Sequence, residues 1–266
     1  MEEKHDNYIA EKDLEDHPIG ISLEQMEVLP NQMKKSICKI KCKEGHGTGF
    51  LCLIPNPSKS KTLPVLITNN HILNEEDIGN NQIIEFSINN DSIKKTIVID
   101  SLRRTYTSRE SDTTFIEVKE KDNLDLNSFL EIDYDLYEEM PNERYSQKSI
   151  YLLYYPNCEK VAYSIGVIKC IEDDNYKFNH LCHSEGSSSG GPLLNLSNFK
   201  VIGINKGANE TKNMNVGTFI KAPIKEFNKK GKKAGDDCEE KKEINNLIKE
   251  KDETNGEMTI IYQNKK

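Results

Sequence analysis

Between Ser36 and Ala222 the apolar residues arrive in short, β-branched runs cut apart by Asn, Pro and Gly, and this punctuation constrains the fold more than any other feature. Short runs bounded by turn residues read as strands, and many of them in succession read as an all-β barrel or sandwich. A first group is expected at Ser36–Cys42, Gly47–Ile54, Val65–Thr68, Gln82–Ile88, Lys94–Ile99 and Thr113–Val118. A second is expected at Ser149–Tyr155, Val161–Cys170, Tyr176–Cys182, Pro192–Leu194, Lys200–Asn205 and Thr218–Ala222. The fold class predicted is therefore all-β, in two groups of six strands.

Three polar motifs sit at the ends of these runs. Glu185–Gly186–Ser187–Ser188–Ser189–Gly190–Gly191–Pro192 is a short, glycine-bounded turn that can lift one hydroxyl clear of the fold, and Ser189 is the candidate. A serine hydroxyl is a poor nucleophile at neutral pH and needs a histidine base, itself oriented by a carboxylate. Thr68–Asn69–Asn70–His71 places His71 in the turn leaving an apolar strand, and Ser111–Asp112–Thr113–Thr114 places Asp112 at the mouth of another. These motifs, in the order His, Asp, Ser, resemble those of the trypsin-like serine peptidases. Gly47–Thr48–Gly49–Phe50, Val201–Ile202–Gly203–Ile204–Asn205 and Val216–Gly217–Thr218–Phe219–Ile220 extend the likeness over roughly residues 36–223.

The resemblance implies two six-stranded antiparallel Greek-key barrels of the chymotrypsin type with the active site between them, and a serine endopeptidase as the activity. Catalytic His71, Asp112 and Ser189 would be served by an oxyanion hole of backbone N–H groups from Ser187, Ser188 and Ser189. His183 would lie near the base of the primary pocket, with Asn205, Lys206 and Gly207 along one wall. The implied partner is a protein or peptide substrate, with no cofactor and no metal. Two departures from the family matter. Ser187 stands where a glycine is usual, and a positive φ there would cost on the order of 1–2 kcal/mol. Ser188 replaces the buried aspartate that trypsin holds before its nucleophile, and no Ile- or Val-led activation site precedes the first barrel, so the chain is more similar to the non-secreted, disulfide-free members. Two other readings are a catalytically silent domain of this fold that binds peptides by β-augmentation and an esterase; the order of the triad excludes the nucleophile elbow of the latter.

Composition bears on the surroundings. A net charge of −8 in 266 residues argues against nucleic acid or an anionic membrane as the main partner. The acidic, polar start has no signal-peptide pattern and no apolar run reaches spanning length, so a cytoplasmic protein is expected. The seven cysteines are scattered without zinc-type spacing and read as reduced core residues. Three regions are expected: 1–35, a polar leader and short helix; 36–228, the peptidase domain, with barrel one at about 36–120 and barrel two at about 148–222; and 229–266, a charged linker ending in the strand-like Glu257–Tyr262. Ser22 with Gln25 reads as a capping box opening a helix that Pro30 should end or interrupt, its Leu23, Met26 and Leu29 packed on the barrel. Asp122, Asp125 and Asp133 lie in the acidic crossing between barrels, lack calcium-loop spacing and are expected to be solvated.

Overall fold

The computed structural model describes residues 20–43, 45–56, 61–137, 144–172, 176–209 and 211–230. The charged linker and the strand-like segment at 257–262 lie outside the described residues. None of the helices among the described residues is long and apolar enough to cross a membrane.

Helix α1, Leu23–Lys35, opens on the expected capping box: Ser22 Oγ accepts from Gln25 N, and the Gln25 side chain accepts from Ser22 N. It does not stop at Pro30. Proline lacks the N–H that would bond the carbonyl one turn back, but the second half of the helix is held from outside. Leu29 is buried and Met33 packs against the core; Gln32 Nε2 donates to the Phe199 carbonyl at 3.0 Å, and Gln32 Oε1 accepts from the Tyr151 hydroxyl at 2.7 Å. Only Leu29 of the expected apolar trio docks, while Leu23 and Met26 are exposed.

Eight strands follow: β1 (Ile37–Cys42), β2 (Gly45–Asn56), β3 (Lys61–Thr68), β4 (Ile83–Ile88), β5 (Ile93–Val98), β6 (Thr105–Ser108), β7 (Thr113–Glu117) and β8 (Leu130–Glu131). They form one curled sheet in the order β5-β4-β1-β2-β3-β7-β6, antiparallel throughout, with β8 adding parallel to β2. The expected six strands are present, but β6 and β8 join them and the sheet is not a closed ring. Strands β9 (Ser149–Tyr154), β10 (Ala162–Ile171), β11 (Lys177–His180), β12 (Pro192–Asn195), β13 (Val201–Asn209) and β14 (Met214–Phe219) do close into a six-stranded barrel. The architecture is the two-barrel, all-β fold of the chymotrypsin type.

Strand β2 joins the halves. Side chains alternate along a strand, so Leu51 enters the core of the first sheet with Ile40, Leu66 and Phe86, while Phe50, Cys52 and Ile54 face Tyr151, Leu153 and Leu193 of the barrel. Helix α2, Lys221–Lys230, leaves the barrel and returns to the first sheet: Phe227 stacks on Phe115 at 5.7 Å, under the Arg104 guanidinium at 4.5 Å. The acidic crossing is only in part the solvated loop expected: Asp125 is exposed, but Asp122 and Asp133 are held. Asp122 receives two hydrogen bonds from the buried Arg103 guanidinium, at 2.7 and 2.9 Å, and buried Asp133 accepts from Asn195 Nδ2 at 3.0 Å.

Candidate active site

Strands β3 and β7 pair with Thr68 opposite Thr114, so the residues leaving β3 and those entering β7 share one end of the sheet. After Thr68 the chain makes a tight turn, with the N–H groups of Ile72 and Leu73 both donating to the Asn69 carbonyl, and His71 projects from it. Asp112 closes the β6–β7 connection with φ +51°, a left-handed conformation that aspartate tolerates better than most residues. Its carboxylate grips His71 twice: Oδ1 accepts from the His71 N–H at 3.1 Å, and Oδ2 lies 2.8 Å from Nδ1. Buried Asn69 donates from Nδ2 to the Asp112 carbonyl at 2.7 Å, which pins the loop from behind. The Asp112 side chain is 8% exposed and the His71 side chain 49%, so the carboxylate is sheltered and the far ring nitrogen stays open to the cleft.

The loop that carries Ser189 is clamped between the halves. A Cβ at Gly190, where φ is +87°, would collide with the Thr48 carbonyl, so only glycine lets the loop sit against β2. Thr48 N donates to the Ser189 carbonyl at 3.1 Å, Thr48 Oγ1 donates to the Ser187 carbonyl at 2.7 Å, and Thr68 Oγ1 donates to the Thr48 carbonyl at 2.8 Å. From the barrel side, Gly190 N donates to the Asn205 carbonyl and Asn205 N to the Gly191 carbonyl. Ser188 is buried and closes the turn on Glu185, its hydroxyl donating to the Glu185 carbonyl at 2.6 Å.

The three expected oxyanion donors separate. Ser188 N donates to the Glu185 carbonyl at 3.1 Å, so it leaves the donor set, because the turn that buries its side chain also turns its N–H inward. The Ser187 and Ser189 N–H groups make no hydrogen bond among the described residues. Ser187 adopts φ +67°, the left-handed conformation its glycine-like position demands. The Ser189 hydroxyl donates to the Lys206 carbonyl at 3.1 Å, and among the described residues no hydrogen bond joins it to His71.

The residues expected to face substrate also divide. Beyond the end of strand β11, the His183 side chain is 70% exposed, meets Glu185 Oε1 at 3.2 Å and does not line the cleft that holds His71. Asn205 is fully buried and serves the loop, with Nδ2 donating to the Ser188 carbonyl at 3.1 Å. Lys206 and Gly207 do lie beside Ser189, and with His71, Asp112, Lys177 and Val216 they line an open cleft of about 440 Å³. His180, which carried no expectation from sequence, is the histidine that reaches Asn205, with Nε2 3.2 Å from Oδ1. Burial pushes its pKa down to about 4, and its Nδ1 has no partner. Thr48 and Asn69 also went unassigned, although both stand inside the motifs around His71 and the early glycines; their role depends on what lies across the sheet.

No protein-family model matches the sequence, and neither does any curated protein. Solved structures do match the fold. A serine endoprotease from Yersinia pestis aligns with a TM-score of 0.56 at 13% identity, over 81% of this chain and 70% of that one. Deg5 aligns at 0.53 and 17%, over 76% and 91%. The Rv3671c protease of M. tuberculosis, in an inactive form, aligns at 0.51 and 16%, over 80% and 98%. At such identities the likeness carries the architecture and not the chemistry: this chain has the trypsin-like, two-barrel fold of the serine endoproteases.

Proposed function

We propose that the protein is a serine endopeptidase working through His71, Asp112 and Ser189. The observation that carries this reading is the double grip of Asp112 on His71, which commits Nδ1 to the carboxylate and leaves Nε2 for the cleft that His71 lines with Lys206 and Gly207, the two residues beside Ser189. Once rotated off the Lys206 carbonyl, the Ser189 hydroxyl attacks the peptide carbonyl while Nε2 takes its proton. The imidazolium so formed is stabilised by Asp112 and returns the proton to the leaving amine. The uncommitted N–H groups of Ser187 and Ser189 receive the developing oxyanion, an interaction whose loss typically costs about 100- to 1000-fold in turnover. Water then hydrolyses the acyl-enzyme by the same steps.

Peptide is a suitable substrate because β13 offers it an edge. Strand β12 covers β13 only as far as Ile204, so beyond the bulge at Lys206 the segment Gly207–Asn209 pairs with β14 alone among the described strands and can pair with an extended chain. A second reading, a silent peptide-binding domain, is favoured by one observation: the Ser189 hydroxyl bonds a carbonyl rather than the base. A fluorophosphonate serine-hydrolase probe separates the two. Labelling of the native protein that disappears in Ser189→Ala and His71→Ala is expected; a folded native protein that takes no label removes the peptidase reading and leaves the binding one. The six described cysteines are free thiols, in keeping with a cytoplasmic setting.

A further inference from the structure

A cation-rich depression of about 620 Å³ lies on the first sheet, outside the cleft described above, in a chain whose net charge is −8. Its origin is strand alternation. On β1, Cys38 and Ile40 enter the core, which puts Lys39 and Lys41 on the opposite face; on β4, Ile84 and Phe86 enter the core and Glu85 and Ser87 face out. The register sets Lys41 opposite His46, Lys39 opposite Ser87, and Ser87 opposite Lys94. Three lysines on this face (39, 41, 94) against two carboxylates (Glu85, Asp91) give the depression a local charge of +1, before any protonation of His46. Lys39 and Lys41 are paired with Asp91 at 2.5 Å and Glu85 at 2.6 Å. The excess charge therefore rests on Lys94; Lys95 stands opposite Phe86, so its side chain leaves by the other face and donates to the Asn123 carbonyl at 2.7 Å.

This face is continuous with the nucleophile loop. His46 precedes Thr48 by two residues on β2 and so shares its face, and Thr48 holds the loop through the Ser187 and Ser189 carbonyls. Cys158 bridges the same junction, its Sγ 2.9 Å from Ser187 Oγ and donating to the His46 carbonyl at 3.8 Å. The open edge of β13 lies on the other side of Ser189, at Gly207. A chain whose acyl side pairs with that edge must leave Ser189 toward Thr48 and His46, and then cross β1, β4 and β5.

We propose that the depression receives the segment following the scissile bond and selects for acidic residues there; this rests on the peptidase reading above. From His46 on β2 to Lys94 on β5 is three strand spacings, about 14 Å, which an extended peptide covers in about four residues. Asp and Glu at roughly the second to fifth positions after the cleaved bond then meet Lys94 and His46. The complementarity acts on affinity and encounter rate together.

The test uses two C-terminally fluorescein-labelled peptides of the leaving-segment type, Ala-Asp-Glu-Asp-Glu and Ala-Lys-Arg-Lys-Arg, titrated by anisotropy into the full chain carrying Ser189→Ala. The expected result is at least about tenfold tighter binding of the acidic peptide at low salt, a preference that shrinks at high salt and inverts or disappears when Lys94→Glu is added. Equal binding of the two peptides, or a preference that Lys94→Glu leaves intact, overturns the proposal. A parallel arm measures hydrolysis of an internally quenched peptide with a neutral leaving segment by the native protein. Hydrolysis without charge preference removes the docking face and keeps the peptidase; charge preference without hydrolysis keeps the face and removes the peptidase.

Discussion

Ser187 concentrates the local strain of the site. Its φ of +67° is a conformation glycine adopts freely and other L-residues enter at a cost of about 1–2 kcal/mol. The strain persists because the surroundings over-determine it: Thr48 holds the Ser187 carbonyl, Cys158 meets its hydroxyl, and Asn157 N donates to the Gly186 carbonyl at 2.7 Å. Ser187→Gly is accordingly expected to raise stability by on the order of 1 kcal/mol and to keep or increase the rate of probe labelling. Ser187→Val, which adds a β-branch at the same φ, should lower both. Thermal unfolding and labelling rates of the two variants check this, and a glycine variant less stable than the native protein would refute it. The possibility of strain was legible in the sequence as a serine in a glycine's place; the sign of φ was not, because it is set by β2 lying against the loop.

At the scale of elements, α1 is docked by its second half only. Leu29→Ala removes a buried side chain and is expected to cost about 2–4 kcal/mol in chemical denaturation. Leu23→Ala, at an exposed position of the same helix, should stay within about 0.5 kcal/mol. Equal effects would mean that the first half docks too. The capping box was readable because its four residues are contiguous, whereas the passage through Pro30 was not, since it depends on Tyr151 and Phe199 from the barrel. Strands β6 and β8 were missed for a related reason: four and two residues hold no period, and only pairing with β7 and β2 makes strands of them.

For the molecule as a whole, His180 makes stability depend on pH. Its Nε2 faces Asn205 Oδ1 and its Nδ1 has no hydrogen-bond partner among the described residues, so a second proton would be buried without a partner, and burial pushes the pKa down from 6.5 to about 4. The unfolded chain takes up that proton near pH 6.5 while the folded one resists until about 4. The stabilisation is therefore complete above pH 6.5 and is lost as pH falls toward 4, by roughly 3 kcal/mol. Because Asn205 also holds the Ser188 carbonyl, the barrel and the nucleophile loop should loosen together. Melting temperatures of the native protein and of His180→Gln between pH 4 and 7 test this: the variant should show the shallower dependence, and parallel curves would assign the acid sensitivity to other groups.

Local pattern by itself determined the all-β class and most of the strands, because alternation and turn chemistry are written in contiguous residues. Only the tertiary structure decided which residues meet across the molecule. It set the pairing of Thr68 with Thr114 that brings His71 to Asp112, the inward turn of Ser188 N–H, and the exposure of His183 in contrast to the burial of His180. These depend on register and on the packing of one half against the other. A one-residue change of register reverses the face of every side chain on a strand, and two sheets placed face to face have no counterpart in the order of the chain.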